Sequence, residues 1–180
     1  MTKLAAPNKA PAIRLKDVNG NPVVLGQGKP TLLSFFRDTS CPFCNVRIYE
    51  LTKRYEDLAF DGLNVVAVFA SEPEQVQAFI MQRPRPFAIV ADPNKVSYVE
   101  YGIGSSFNGK VKGIIKHFAT FWRGLKIVGL RVLGANNVMP ADFLITPEGN
   151  IVEAYYGVDI GDRLAFEKIE EFAKKYRKDY

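Results

Sequence analysis

Two cysteines, Cys41 and Cys44, are the residues whose types and spacing most clearly predict chemistry in this sequence. They are the only two cysteines of the 180 residues, and Pro42 and Phe43 separate them. Two thiols in a Cys-x-x-Cys spacing can cycle between a dithiol and a disulfide. The spacing therefore predicts a redox centre.

The cysteines lie between a predicted strand and a predicted helix. Residues 30–36 are a short apolar run rich in strand formers, and residues 42–59 carry apolar side chains at roughly helical spacing. Pro42 suits the first turn of that helix. Because a helix N-terminus stabilises an anion, we expect a lowered pKa for Cys41. Cys41 is then the nucleophile and the more exposed thiol, and Cys44 closes the disulfide.

Other uses of the cysteine pair stay open from the sequence. The two residues can be structural, with one of them in the core. A zinc site needs about four ligands, and beyond the cysteines the chain offers a single histidine, His117, far away in sequence. We therefore expect no self-contained metal site and no cofactor. An iron–sulfur cluster bridging two chains is the remaining alternative.

Length and composition are those of one soluble globular domain, residues 1–180. Both cysteines lie in one motif, which leaves none for structural disulfides and suits a reducing compartment. The N-terminal residues 1–17 contain no apolar signal-peptide core, and no apolar stretch is long enough for a convincing membrane span. We expect a cytoplasmic protein.

Strand-like and helix-like segments alternate along the chain. Asn19-Gly20 predicts an N-terminal β-hairpin. A second hairpin is predicted around the turn at 147–150, followed by a last helix over about 162–178. This order indicates an α/β layered fold with a mixed sheet.

Residues 104–138 form a basic insertion. The chain has a net charge of +5, and this segment alone contributes +6, leaving −1 elsewhere. Residues 105–133 are predicted to be helical, with a break near Gly124 or Gly129, and apolar side chains recur along one stripe. The segment has no acidic residue, and its basic residues are Lys110, Lys112, Lys116, Arg123, Lys126 and Arg131.

Three roles for the 105–133 helix remain open. It can cover the sheet or the active-site groove of its own domain, pair with a second subunit as a homodimer, or lie on an anionic membrane surface. We expect no nucleic-acid binding, because no recognition motif accompanies the charge. His117 is expected to be a polar-face or boundary residue and not a catalyst.

Two segments carry a family resemblance, Phe-Phe-Arg-Asp-Thr-Ser-Cys-Pro-Phe-Cys at 35–44 and Met-Pro-Ala-Asp-Phe-Leu-Ile-Thr-Pro-Glu-Gly at 139–149. With them the chain resembles the thioredoxin superfamily, and more narrowly the peroxiredoxin-like branch of the alkyl hydroperoxide reductase/thiol-specific antioxidant family. The resemblance implies a thioredoxin-like three-layer fold, in which the insertion precedes a hairpin led by a cis proline, Pro140. It also implies residues that bind or support the substrate, namely Thr39, Ser40, Pro42, Met139 and Pro140.

Several positions depart from the patterns of these relatives. Typical peroxiredoxins have a proline and a threonine or serine where this chain has Ser34 and Asp38. Typical thioredoxins have a buried aspartate and a tryptophan where it has Phe35 and Ser40. The peroxiredoxin arginine before the late strand is missing, and the arginines that could replace it are Arg37, Arg47, Arg83, Arg85 and Arg131.

The resemblance implies a thiol-dependent antioxidant enzyme that reduces peroxides. Attack by Cys41 would form a sulfenic acid, and Cys44 would condense with it to a disulfide. An external thiol system, such as a thioredoxin or glutaredoxin system, would then reduce the pair. Two alternatives remain: a thioredoxin-like protein disulfide oxidoreductase, and a non-catalytic redox-sensing module that docks on a membrane or a partner through its basic helix.

Overall fold

The structure, a computed structural model, describes residues 2–128 and 136–177. Strands and helices alternate through its middle section, as the sequence predicts. The elements are, in chain order, β1 (Asn8–Lys9), β2 (Thr31–Phe36), α1 (Pro42–Phe60), β3 (Asn64–Phe69), α2 (Pro73–Gln82), β4 (Ala88–Ala91), α3 (Val96–Glu100), α4 (Phe107–Lys116), α5 (Phe118–Val128), β5 (Ala141–Ile145), β6 (Asn150–Tyr156) and α6 (Phe166–Lys175).

The strands form one mixed sheet in the order β1-β6-β5-β2-β3-β4. Strands β2, β3 and β4 are parallel, whereas β5, β6 and β1 continue the sheet with antiparallel pairings. The predicted mixed sheet is therefore confirmed. The central strand β2 is buried on both faces, which explains its almost continuous apolar sequence.

Alternate residues of β2 point to two separate hydrophobic clusters. Leu32 and Phe36 belong to the cluster that includes side chains of α1, α2 and α6, while Leu33 and Phe35 belong to the cluster on the other face. That second cluster is closed by α3 and by residues near the N-terminus, such as Ile13. Helices on one face, the sheet, and α3 with the N-terminal segment on the other form the expected three layers.

The end of β2 is fixed in place before the cysteines begin. Phe35 pairs with Ala141, so β5 starts beside the point where β2 ends. The buried hydroxyl of Tyr98 donates toward the carbonyl oxygens of Phe36, at 2.5 Å, and Val68, at 2.9 Å. The loop that carries the cysteine motif therefore begins at a strand end that these contacts hold in place.

The insertion is helical, as predicted, but its break lies at His117, between α4 and α5. Gly124 is inside α5, where a Cβ would lie 2.4 Å from the Pro42 carbonyl oxygen. This close approach makes the glycine a packing residue and not a helix break; Gly129, the other predicted break, lies outside the described residues. The insertion thus covers the first turn of α1. No helix of the described ranges is long and apolar enough to cross a membrane.

The prediction of a cis peptide bond before Pro140 is wrong. Within residues 2–128 and 136–177 the one cis peptide bond is Ala6–Pro7, so Met139–Pro140 is trans. The Met139 N–H donates to the Gly104 carbonyl at 3.0 Å, and the Pro140 carbonyl accepts from the Gly157 N–H at 2.9 Å. The chain is already paired along an extended path into β5, for which the intrinsically preferred trans isomer is adequate.

The predicted N-terminal hairpin is present as a chain reversal with a single bridge, between Lys16 and Pro22, and not as two regular strands. The Asp17 carboxylate holds the turn by accepting from the N–H groups of Asn19 and Asn21, at 2.9 and 2.8 Å. Pro22 has no N–H to donate, which limits the ladder at this point.

Candidate active site

Cys41 and Cys44 are free thiols at the start of α1. Cys41 is the N-cap and Pro42 occupies the first helical position, as predicted. Both thiols are buried, with exposed fractions of 0% and 2%, so the expectation that Cys41 is the more exposed one is wrong. The insertion contributes to this burial, because α5 lies on Pro42 and the Phe121 ring centroid is 6.1 Å from that of Phe43.

Arg37 is a buried cation beside both sulfur atoms. Its Nη1 lies 3.6 Å from the Sγ of Cys41, and its backbone N–H donates to the Sγ of Cys44 at 3.4 Å. The side chain is 1% exposed, and its Nη2 donates to the Asn136 carbonyl. A fixed, water-excluded positive charge therefore faces the thiol pair.

The two thiols have opposite pKa shifts. Burial raises the pKa of Cys41, but the hydrogen bond from the Cys44 thiol, the Arg37 charge and the Cys44 backbone N–H together lower it to about 7. Burial and the neighbouring Cys41 sulfur raise the pKa of Cys44 well above its usual range. At neutral pH the pair is suited to a Cys41 thiolate and a protonated Cys44 that donates to it.

The predicted support residues Thr39 and Ser40 shape the loop before Cys41. The Thr39 N–H donates to the Ser71 hydroxyl at 3.2 Å, and its carbonyl accepts from the Asn45 amide at 2.8 Å. The N–H and hydroxyl of Ser40 both donate to one Asp38 oxygen, at 3.0 and 2.5 Å. In the structure both residues hold the protein's own loop, and a contact with substrate stays a prediction.

Met139 and Pro140 approach the site from β5. Because Phe35 pairs with Ala141, the residue before Ala141 lies beside the end of β2. Met139 is half-buried and packs against the cluster that contains both cysteines, whereas Pro140 is buried. Their place near the motif agrees with the sequence-based expectation, and their role toward substrate stays a prediction.

Asn136 is a residue of the site that sequence reasoning missed. Its backbone N–H donates to Asp38 at 2.8 Å, and its side-chain amide donates to the carbonyls of Arg37 and Ala70, at 3.4 and 3.3 Å. It thereby ties the end of the insertion to the loop that carries the cysteines. A lone asparagine in a basic segment has no pattern that would have identified it.

Arg163 was also missed. Its Nη1 donates to the Phe35 carbonyl at 2.9 Å and to the buried carboxylate of Asp142 at 3.1 Å. The guanidinium lies 4.2 Å from the centroid of the Phe36 ring. Its charge opposes, without reversing, the burial that raises the pKa of Cys44. An arginine far along the chain, just before the last helix, gave no sequence signal for this position.

Among the arginines that could replace the missing family arginine, Arg37 lies beside the thiols. Arg47 instead donates to the Leu164 carbonyl at 2.7 Å and lies over the Phe166 ring. Arg83 follows the end of α2, Arg85 lies over Phe79, and Arg131 lies outside the described residues.

His117 lies behind the motif at the α4–α5 junction. Its Nε2 is 3.3 Å from the buried Asp159 carboxylate, and its ring centroid is 6.4 Å from that of Phe43. It is half-buried, in agreement with the expected boundary position. It supports the fold around Phe43 and does not face the sulfur atoms through any of these contacts.

Replacing Arg37 by methionine is expected to raise the pKa of Cys41. An opposite charge at this distance shifts a pKa by roughly 1–3 units, and without it burial dominates. The thiolate fraction at pH 7 should therefore fall at least several-fold, because the reactive form appears only as the pH rises through the higher pKa. The measurement is the alkylation rate of the reduced protein as a function of pH, with circular dichroism to confirm the fold.

The matched control is Arg85→Met, which removes an arginine from the loop that follows α2. Its alkylation profile should keep the same midpoint as the wild type. An unchanged midpoint in a folded Arg37→Met protein would contradict the assignment of Arg37 as the charge that stabilises the thiolate.

Comparison with known proteins adds sequence and structural relatives. The AhpC/TSA family model matches residues 6–154. A Mycobacterium tuberculosis protein bearing the name peroxiredoxin is 25% identical over 162 residues, covering 87% of this chain and 88% of that protein. The thiol-disulfide oxidoreductase ResA of Halalkalibacterium halodurans is 34% identical over 92 residues, covering 49% of this chain and 52% of that protein.

A solved structure shows the same fold. The peroxiredoxin-like protein of Aquifex aeolicus superposes with a TM-score of 0.70 at 14% identity, covering 98% of this chain and 90% of that one. The family match covers most of the chain and includes the cysteine motif and β5. The chain therefore belongs to the AhpC/TSA family and is a peroxiredoxin-like thiol oxidoreductase.

Proposed function

We propose that the chain reduces hydroperoxides with Cys41 as the attacking thiolate and Cys44 as the resolving thiol. The Cys41 sulfur attacks the outer peroxide oxygen, the O–O bond breaks, and a proton converts the departing oxygen to water or an alcohol. Cys41 is then a sulfenic acid. The Cys44 sulfur displaces its hydroxyl as water, which leaves a Cys41–Cys44 disulfide.

The observation that supports this proposal most strongly is the unequal protonation of the two buried thiols. Arg37 and the Cys44 groups stabilise a Cys41 thiolate, with a pKa of about 7, although burial opposes it. Burial and the neighbouring Cys41 sulfur raise the pKa of Cys44 well above its usual range, which favours the protonated thiol at neutral pH. The same arginine Nη1, 3.6 Å from the Cys41 sulfur, is placed to polarise a bound peroxide oxygen.

An external dithiol of the thioredoxin or glutaredoxin class is the proposed reductant. Two electrons from such a dithiol would return the disulfide to Cys41 and Cys44 and close the cycle. The absence of any further cysteine for a structural disulfide supports a working place in a reducing compartment such as the cytoplasm.

Stopped-flow oxidation of the fully reduced protein tests the proposal. With hydrogen peroxide and with an organic hydroperoxide, we expect second-order rates at least about a hundredfold above those of a free thiol of equal pKa. Two thiols should be lost per chain. Rates equal to those of the free thiol would overturn the peroxidase assignment.

Disulfide exchange is the second candidate function, favoured by the 34% identity over 92 residues to a thiol-disulfide oxidoreductase. In this reaction the Cys41 thiolate would attack a substrate disulfide, and Cys44 would release the mixed disulfide. Slow peroxide oxidation together with rapid reduction of insulin disulfides by the reduced protein would favour this candidate.

A further inference from the structure

The outer face of α4 and α5 carries an exposed apolar stripe. Phe107, Ile115 and Trp122 are 65%, 73% and 48% exposed. We call the five exposed residues Phe107, Val111, Ile115, Phe118 and Trp122 the outer stripe. On α4 the spacing of four residues places its members along one side of the helix.

The outer stripe is not needed to seat the insertion on the rest of the protein. The opposite side of the two helices does that. A Cβ added at Gly113 would lie 2.5 Å from Ile160, and one added at Gly124 would lie 2.4 Å from Pro42, so neither position has room for a side chain. Ile114 and Phe121 pack against the main hydrophobic cluster. The insertion therefore has two apolar sides, one packed inward and one facing outward.

Basic side chains accompany the stripe. Four exposed cations lie on the same two helices, and the sequence from 104 to 138 contains no acidic residue. The rest of the chain has a net charge of −1, so the net positive charge of the sequence comes from this segment. The four cations are Lys112, Lys116, Arg123 and Lys126, and the Nζ of Lys116 lies 3.6 Å from the buried Asp159 carboxylate, so the other three are the cations offered to a lipid surface.

We propose that the outer stripe is a docking surface for an anionic phospholipid membrane. Helices α4 and α5, of 10 and 11 residues, would lie in the plane of the interface. The aromatic side chains would enter the headgroup and upper acyl region, while the lysines keep their ammonium groups at the lipid phosphates. Tryptophan and phenylalanine beside lysine and arginine match this chemistry.

Charge argues against a second copy of this chain as the occupant. In a two-fold symmetric contact the same face meets itself. The face would bring its cations against an identical set, with no acidic residue of the segment to pair with them. Like charges set against each other across an interface weaken the association. An anionic lipid surface has the opposite sign.

Trp122 makes the proposal directly measurable, since it is the one tryptophan of the sequence. We expect its emission to shift to the blue when the reduced protein is mixed with phosphatidylglycerol/phosphatidylcholine vesicles, and lipids brominated in the upper acyl chain should quench it. Vesicles of phosphatidylcholine alone should have little effect. Raising the salt concentration should weaken binding, because it screens the lipid phosphates from the lysines.

Substitutions on the stripe test its location. Ile115→Ser combined with Phe118→Ser should weaken vesicle binding at least tenfold, since both side chains are exposed and contribute apolar area. Lys112→Gln and Lys126→Gln should each weaken it roughly fivefold. Phe60→Ser is the matched control: this phenylalanine, at the end of α1, is 80% exposed, and its loss should leave vesicle binding unchanged.

Three outcomes would overturn the proposal. The first is that anionic vesicles leave the Trp122 emission unchanged. The second is that the stripe variants bind vesicles as well as the wild type does. The third is that the protein forms a dimer without lipid as its concentration rises, and that the stripe substitutions abolish this dimer. The peroxide assay without vesicles is a separate readout, so the docking surface and the proposed reaction can fail independently.

Discussion

Replacing Cys41 by serine is expected to lower the rate of peroxide consumption at least about a thousandfold. A serine hydroxyl stays protonated at neutral pH, so neither Arg37 nor Cys44 has an anion to stabilise. The remaining thiol, Cys44, has a pKa raised well above its usual range by burial, and is therefore a poor nucleophile. The measurement is single-turnover oxidation of the reduced variant.

Cys44→Ser is the matched variant, with the opposite expectation. A serine hydroxyl can still donate to the Cys41 thiolate, so the first oxidation should stay within about tenfold of the wild-type rate. The sulfenic acid would then persist, because no second thiol can displace water from it, and dimedone should trap it on Cys41. If Cys41→Ser kept the full rate while Cys44→Ser lost it, the assigned roles would be reversed.

Asp142→Asn is expected to destabilise the fold by about 3 kcal/mol. The Asp142 carboxylate is fully buried, accepts from the Ser34 hydroxyl at 2.6 Å and from the Leu164 N–H at 3.0 Å, and pairs with Arg163 at 3.1 Å. Asparagine keeps the shape but removes the negative charge, which leaves the Arg163 guanidinium buried without its counter-charge. Urea unfolding of both proteins measures the difference.

Two comparisons make the Asp142 prediction specific. Glu170→Gln breaks an exposed ion pair with Arg54, at 3.6 Å, and should cost less than about 1 kcal/mol. Asp142→Leu combined with Arg163→Met removes both buried charges and should restore much of the lost stability. A cost below about 1 kcal/mol for Asp142→Asn would show that the buried pair is not an important support.

Much of the framework could be predicted from local patterns. The apolar run ending at Phe36, the helix beginning at Pro42 and the late hairpin each have their own periodicity and turn chemistry. The motif also predicted that Cys41 has the lowered pKa, although the causes in the structure are the Cys44 thiol and the Arg37 charge before the Cys44 backbone N–H at the helix start.

Features that depend on distant contacts could not be predicted from the sequence. The covering of Pro42, next to Cys41, is by α5, which begins more than 75 residues further along the chain. Two arginines place positive charge around the thiols. Arg37 is close to Cys41 in sequence, whereas Arg163 comes near Cys44 because the segment before α6 packs there. The trans bond at Pro140 is the intrinsically preferred isomer, and the wrong expectation of a cis bond came from the family resemblance. No glycine or proline marks the break between α4 and α5 at His117.

The missing Cβ at Gly124 has a thermodynamic consequence. Helix α5 lies so close to the Pro42 carbonyl that neither element can shift alone. If a disulfide between Cys41 and Cys44 altered the first turn of α1, α5 would have to move with it. A ligand on α5 that bound the reduced and oxidised chains with different affinities would then change the reduction potential of the pair, and the oxidation state would change the affinity for that ligand by the same factor.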